Sequence, residues 1–69
     1  MNELTSREIE LLKLFALSNT QIAQRLNIEP STVKKHVHNV IQKLYCKSRG
    51  QALVNAVKSG IIKVEEIVS

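Results

Sequence analysis

Cysteine, proline and glycine are scarce in this sequence: one, one and two among 69 residues. The single thiol, Cys46, excludes an intrachain disulfide, and one Cys with two His gives no recognisable zinc-ligand pattern. With so few turn formers, and few β-branched runs alternating at period two, the chain reads as all-helical. No apolar run approaches the roughly 20 residues a membrane-crossing helix needs, and no secretory apolar region opens the sequence. A lone cysteine suits a reducing, cytoplasmic setting. Low-complexity stretches and internal repeats are missing. So are a nucleophile–base constellation, a Gly-rich phosphate loop and a carboxylate pair at catalytic spacing. An enzyme is therefore not expected, and no catalytic residue, metal site or cofactor is assigned. One domain over residues 1–69 is all the length allows. Below about 70–80 residues a single core rarely supplies more than about 3–5 kcal/mol, which leaves a second copy or a ligand to add the rest.

Acid is missing where base is concentrated. Residues 30–64 hold Lys34, Lys35, Lys43, Lys47, Arg49, Lys58 and Lys63 and no carboxylate, a net of +7 in a chain of net +4. Residues 1–29 have a net of −1, and Glu65 and Glu66 follow the basic stretch. Such a half suits a polyanion, whether nucleic acid or a membrane surface, or is simply a solvated basic face.

Helix starts are well marked. Thr5-Ser6-Arg7-Glu8, Ser18-Asn19-Thr20-Gln21 and Ser48-Arg49-Gly50-Gln51 each have the form of a capping box, in which the first hydroxyl accepts from the third helical N–H and the fourth side chain reaches back. Leu4 and Ile9 bracket the first box at the spacing of a hydrophobic staple. Pro30 marks the remaining start. The segments predicted are about 6–16, with Leu11, Leu12 and Phe15 on one stripe; about 19–26, with Ile22, Ala23 and Leu26; about 30–45, with Val33, Val37, Val40, Ile41 and Leu44; and about 49–58, with Ala52, Leu53, Ala56 and Val57, stopped at Ser59-Gly60. Only Asn27, Ile28 and Glu29 separate the second and third. A short helix, a tight turn and a longer helix outline a helix-turn-helix.

At about 100° per residue the apolar series of the third helix leaves an opposite side bearing Ser31, Lys34, Lys35, His38 and Gln42. Lysine can donate to guanine in the major groove, and Gln or Asn can read adenine. A surface kept soluble by charge normally mixes signs, and this one does not. Ser31 and Thr32 at this helix's start, and Asn19 and Thr20 at the start of the second, lie where free N–H groups attract anions. Lys43, Lys47 and Arg49 prolong the positive strip.

The run Leu4-Thr5-x-Arg7-Glu8, Ser18-Asn19-x-x-Ile22-Ala23-x-x-Leu26-x-Ile28, Thr32-Val33-Lys34-x-His36-Val37-x-Asn39, Lys43-Leu44 and Ser48-Arg49-x-x-Ala52-x-x-x-Ala56-x-x-x-Gly60 resembles the LuxR/GerE-type helix-turn-helix domain over residues 4–62. The resemblance implies a bacterial, four-helix, DNA-binding domain that acts as a homodimer. Such domains usually form the output part of NarL-like response regulators in two-component systems, or of quorum-sensing activators. Matched by position, it implies base contacts from Lys34, Lys35 and His38, and phosphate contacts from Asn19, Thr20, Ser31, Thr32, Lys43 and Lys47. It implies a dimer interface on the fourth helix, at Arg49, Ala52, Leu53, Ala56 and Val57. The partners implied are double-stranded DNA and a second copy; RNA polymerase, and a receiver or ligand-binding domain absent from this chain, are compatible additions. No membrane partner is implied. The location would be cytoplasmic and, on DNA, nucleoid-associated.

Three positions depart from the family pattern. The link before Ser18 lacks two residues and the usual glycine, which calls for a tighter turn or an earlier end to the first helix. Glu29 replaces the usual serine cap of the third helix; it suits the dipole but caps poorly. Tyr45 occupies a place where a small residue or glycine is common. Two singletons complete the reading: His36 flanks the core while His38 projects with the lysines, and Cys46 serves as a small hydrophobe. Two rival readings remain open here. One is a sigma-factor-like promoter-reading region; the other is a dimerisation module that does not touch DNA.

Overall fold

Caps explain where the helices begin. In the computed structural model, which describes residues 4–68, the Thr5 hydroxyl accepts from the Glu8 N–H at 3.1 Å and the Glu8 carboxylate accepts from the Thr5 N–H at 2.9 Å. Ser18 and Gln21 repeat this at 3.2 and 2.9 Å. The third box forms by half. Ser48 accepts from the Gln51 N–H at 3.2 Å, but the Gln51 side chain accepts from Lys47 N–H at 3.1 Å instead of reaching Ser48. Glu29 makes no side-chain cap, and Pro30 follows at a position that has no N–H to satisfy. The described residues thus form an all-α domain with α1 (Ser6–Leu12), α2 (Asn19–Leu26), α3 (Pro30–Lys43) and α4 (Arg49–Lys58), followed by one 3-10 turn at Val64–Glu66.

Helix α1 corrects the expected span of about 6–16: it stops at Leu12. Beyond it the chain winds through i→i+3 hydrogen bonds, Leu14 N–H to Leu11 at 2.9 Å, Phe15 to Leu12 at 3.1 Å and Leu17 to Leu14 at 2.9 Å. The tighter winding advances about 2.0 Å per residue against 1.5 Å in an α-helix, so a link two residues short still reaches Ser18. It also turns both Leu14 and Phe15 into the core, where they are buried. Helix α3 likewise ends at Lys43 and not near residue 45. Tyr45 adopts φ +54°, and the Cys46 N–H closes back on the Ile41 carbonyl at 3.2 Å.

Helix α3 packs against α1, α2 and α4. Leu12, Ile22, Val33, Val40, Ala52 and Ala56 are fully buried at its centre, and no polar side chain of the described residues is buried with them. Each Leu of this kind is worth about 2–5 kcal/mol against Ala. The sharp entry into α3 is made by Asn27, whose φ of +56° ends α2 in the left-handed conformation that Asn tolerates. The whole measures 29 × 25 × 20 Å.

The C-terminal residues close the base, which sequence pattern did not suggest. Gly60 at φ +78° reverses the chain and Ile62 plugs the core. Val68 N–H then donates to the Lys13 carbonyl at 2.9 Å while the Lys13 ammonium pairs with Glu66 at 3.2 Å. The end of α1 and the end of the chain are held by one residue.

Candidate nucleic-acid interface

Burial divides α3 as its periodicity requires. Val33, Val37 and Val40 are buried, whereas Ser31, Lys34, Lys35, His38, Asn39 and Gln42 are exposed. Lys34, Lys35 and His38 therefore share an outer face with uncharged donors and no carboxylate. The helix is 14 residues long and one side of it, at Val33, Val37 and Val40, is buried in the domain. A body of that width fits the roughly 12 Å major groove of B-DNA.

The residues expected to meet phosphate are not equivalent. Thr20 and Ser31 are exposed and Thr32 is half-buried, at the first turns of α2 and α3. Lys47 is exposed in the α3–α4 link. Lys43 does not project with them. Its ammonium lies 2.7 Å from the carboxylate of Glu8, whose side chain is only 12% exposed, and so ties α3 to the cap of α1. Burial pushes the Glu8 carboxyl upward, but the hydrogen bonds from Lys43 and Thr5 and the Lys43 charge outweigh it and hold the group below its ordinary value. His36 is half-buried and lines a small cleft with Arg7, Glu8, Leu11 and Leu26, at the edge of the core.

Arg49, expected at a dimer interface, makes contacts within its own chain. Its Nε donates to the Phe15 carbonyl at 3.1 Å, and its two terminal nitrogens to the Leu17 carbonyl and the Asn19 Oδ1, each at 2.5 Å. The guanidinium also lies 5.5 Å from the Phe15 ring centre. The tight link after α1 leaves carbonyls without helical partners, and one planar fork satisfies two of them together with the side chain that opens α2. Asn19 is thereby held through its oxygen, and its amide N–H groups take no part in this contact. The clue in the sequence was the missing pair of residues before Ser18, whose unpaired carbonyls required a donor from elsewhere.

Ala52 and Ala56 are also not available to a second chain: both are 0% exposed in this chain's own core. Leu53 and Val57 are half-buried beside them. Cys46 is half-buried, its Sγ 3.5 Å from the Ile41 carbonyl. Among the described residues no three His, Cys, Asp or Glu side chains come together, and no helix is long and apolar enough to cross a membrane.

A short helix, a three-residue turn and a longer helix with a polar, cationic outer face, braced by two more helices, define a helix-turn-helix DNA-binding domain. Residues 2–56 match the family model for bacterial regulatory proteins of the luxR family, and the chain belongs to that family of transcription regulators. It is 44% identical over 63 residues to the transcriptional regulatory protein DegU of Brevibacillus brevis, covering 88% of this chain and 27% of DegU. It is 50% identical over 56 residues to the nitrate/nitrite response regulator protein NarL of Escherichia coli K12, covering 78% of this chain and 26% of NarL. It is 42% identical over 62 residues to the response regulator protein VraR of Staphylococcus aureus Mu3, covering 87% and 30%. The chain thus spans under a third of the length of these relatives. No solved structure matches it significantly.

Proposed function

We propose that this chain binds double-stranded DNA sequence-specifically, as the output domain of a bacterial response regulator, with α3 in the major groove. The observation that carries this is the outer face of α3: exposed Ser31, Lys34, Lys35, His38 and Gln42, uninterrupted by acid, on a helix whose other side is locked in the core. In this reading Lys34, Lys35 and His38 meet base edges. The amide of Asn19, the hydroxyls of Thr20, Ser31 and Thr32, and Lys47 meet phosphates and set register. Lys43 acts through Glu8 to fix the tilt of α3 on α1. Two copies bind two half-sites as a homodimer. Relatives that are response regulators and more than three times as long support a receiver domain outside this stretch of sequence. RNA polymerase is a partner compatible with that role.

The test is a selection from random duplexes followed by binding across a salt series. Each phosphate neutralised adds about −0.9 to the slope of log K against log salt. Lys34→Ala and His38→Ala should flatten base preference by about 1–3 kcal/mol at single positions. Lys47→Ala should weaken all sequences alike and reduce the salt slope by about 1. A selection that returns no preferred sequence, or binding indifferent to salt, refutes the reading.

A further inference from the structure

One residue of the α3–α4 link adopts a backbone conformation that its side chain does not favour. At the end of α3 the Tyr45 N–H donates to the Gln42 carbonyl at 3.1 Å and the Cys46 N–H to the Ile41 carbonyl at 3.2 Å. This pair of bonds puts the first residue past the helix in the left-handed region, where glycine is the usual occupant and asparagine the next. Two non-glycine residues among those described have positive φ, Asn27 and Tyr45. Asparagine suits that region, but a bulky tyrosine at φ +54° does not. Burial does not account for the choice, because Tyr45 is 84% exposed, the most of any large hydrophobic side chain described. A residue held against its backbone preference at an exposed point is a candidate for contact with a partner.

We propose that Tyr45 is a further DNA-contacting residue, its hydroxyl donating to a phosphate oxygen of the strand that borders the major groove. The proposal rests on the DNA reading above and adds a contact that the family resemblance does not imply, since a small residue or glycine is common at this position. Length supports it. At about 1.5 Å per residue the 14 residues of α3 span about 21 Å, against a groove about 12 Å wide. Tyr45 lies seven residues beyond His38, about 10 Å along the axis. With His38 on base edges, that distance exceeds the groove's half-width of about 6 Å and reaches the bordering strand. Charge supports it too. The last carbonyls give the end of α3 a partial negative charge, so a phosphate passing there must be met by side-chain donors. Lys43 is committed to Glu8, whereas Gln42, Tyr45 and Lys47 are exposed, and no carboxylate occurs from residue 30 to residue 64. Glycine would suit the cap better but has no donor to offer. A neutral hydroxyl displaces no condensed counterion, so this contact, unlike a lysine's, adds affinity without adding salt dependence.

The full chain is bound to its selected duplex across a salt series, unmodified and as Tyr45→Phe and Tyr45→Gly, with thermal midpoints measured on the same samples. Tyr45→Phe should weaken binding about three- to tenfold at every salt concentration, with the salt slope and the base preference unchanged. Tyr45→Gly should bind at least as weakly while its thermal midpoint stays or rises. Single phosphates replaced by uncharged methylphosphonate locate the partner. At one or two adjacent positions bordering the site, Tyr45→Phe should cost nothing further. A Tyr45→Phe variant that binds like the unmodified chain overturns the proposal, and so does a loss that persists on every modified duplex. A loss confined to particular base pairs makes Tyr45 a base-reading residue and overturns it as well. Affinity that falls only in step with the thermal midpoint assigns the ring to the fold instead. The unmodified chain tests the DNA reading separately. If it shows no salt-dependent binding, that reading and this contact fall together, whereas a silent Tyr45→Phe in a chain that binds overturns the contact alone.

Discussion

Replacing Arg49 separates two roles that the sequence left merged. The side chain makes three hydrogen bonds across the gap between α1 and α2 and stacks on Phe15. In a half-buried site each hydrogen bond is worth about 1 kcal/mol net, because water re-solvates part of what is lost. Stacking on the ring adds about 0.5–1 kcal/mol. Arg49→Ala should therefore cost roughly 3–4 kcal/mol, most of the about 3–5 kcal/mol that a core of this size supplies. Arg49→Lys keeps the charge but loses the fork, and should cost about 2 kcal/mol. Urea titration followed by far-UV circular dichroism reads both. With a slope of about 1 kcal/mol per molar, the lysine variant's midpoint falls by about 2 M, and the alanine variant is largely unfolded before urea is added. If Arg49→Lys melts like the unmodified chain, the hydrogen-bond web contributes nothing. If Arg49→Ala keeps its midpoint and loses only two-site DNA binding, Arg49 belongs to the dimer contact after all.

Three further outcomes are expected. Glu8 has a folded-state pKa below its ordinary value, so the stability it adds is present at neutral pH and is lost as pH falls through that lowered value. Glu8→Gln should be less stable than the unmodified chain at pH 7, with a gap that narrows as pH falls below the ordinary glutamate range; a gap that stays constant with falling pH would show that charge is not the cause. Tyr45 pays for a left-handed backbone at φ +54°, and Tyr45→Asn, with a residue that enters that region more readily, should raise the thermal midpoint by roughly 0.5–1 kcal/mol equivalent. A lower midpoint would mean that the ring's contacts outweigh the backbone strain. Gly60 stands at φ +78° with open space around it, so Gly60→Ala should cost about 1 kcal/mol through the backbone alone; an unchanged urea midpoint would refute this.

Local chemistry made much of the fold legible. Thr5, Ser18 and Pro30 start helices because hydroxyl caps and a fixed φ act within a single turn. The valine series of α3 faces inward because 3.6-residue periodicity is a property of the segment itself. The exposed face bearing Lys34, Lys35 and His38 was visible for the same reason: it is what the buried series leaves over. The Gln51 side chain departs from the expected capping box because two acceptable backbone donors, Lys47 and Ser48, compete for it, and the path of the link favours Lys47.

Other features depend on residues distant in sequence. Lys43 resembles its basic neighbours in the strip until α1 brings Glu8 to it across 35 positions. Arg49 resembled a surface cation until the tightened link presented carbonyls 32 and 34 residues away. The alanines of α4 suited a dimer stripe equally well until α3 closed over them. Sequence alone settled where the helices start, their amphipathic sides and the basic character of α3, since each arises within one or two turns. Tertiary structure decided which polar groups are committed to holding the domain together and which remain for a partner, because that choice depends on which acceptors the folded chain brings within reach.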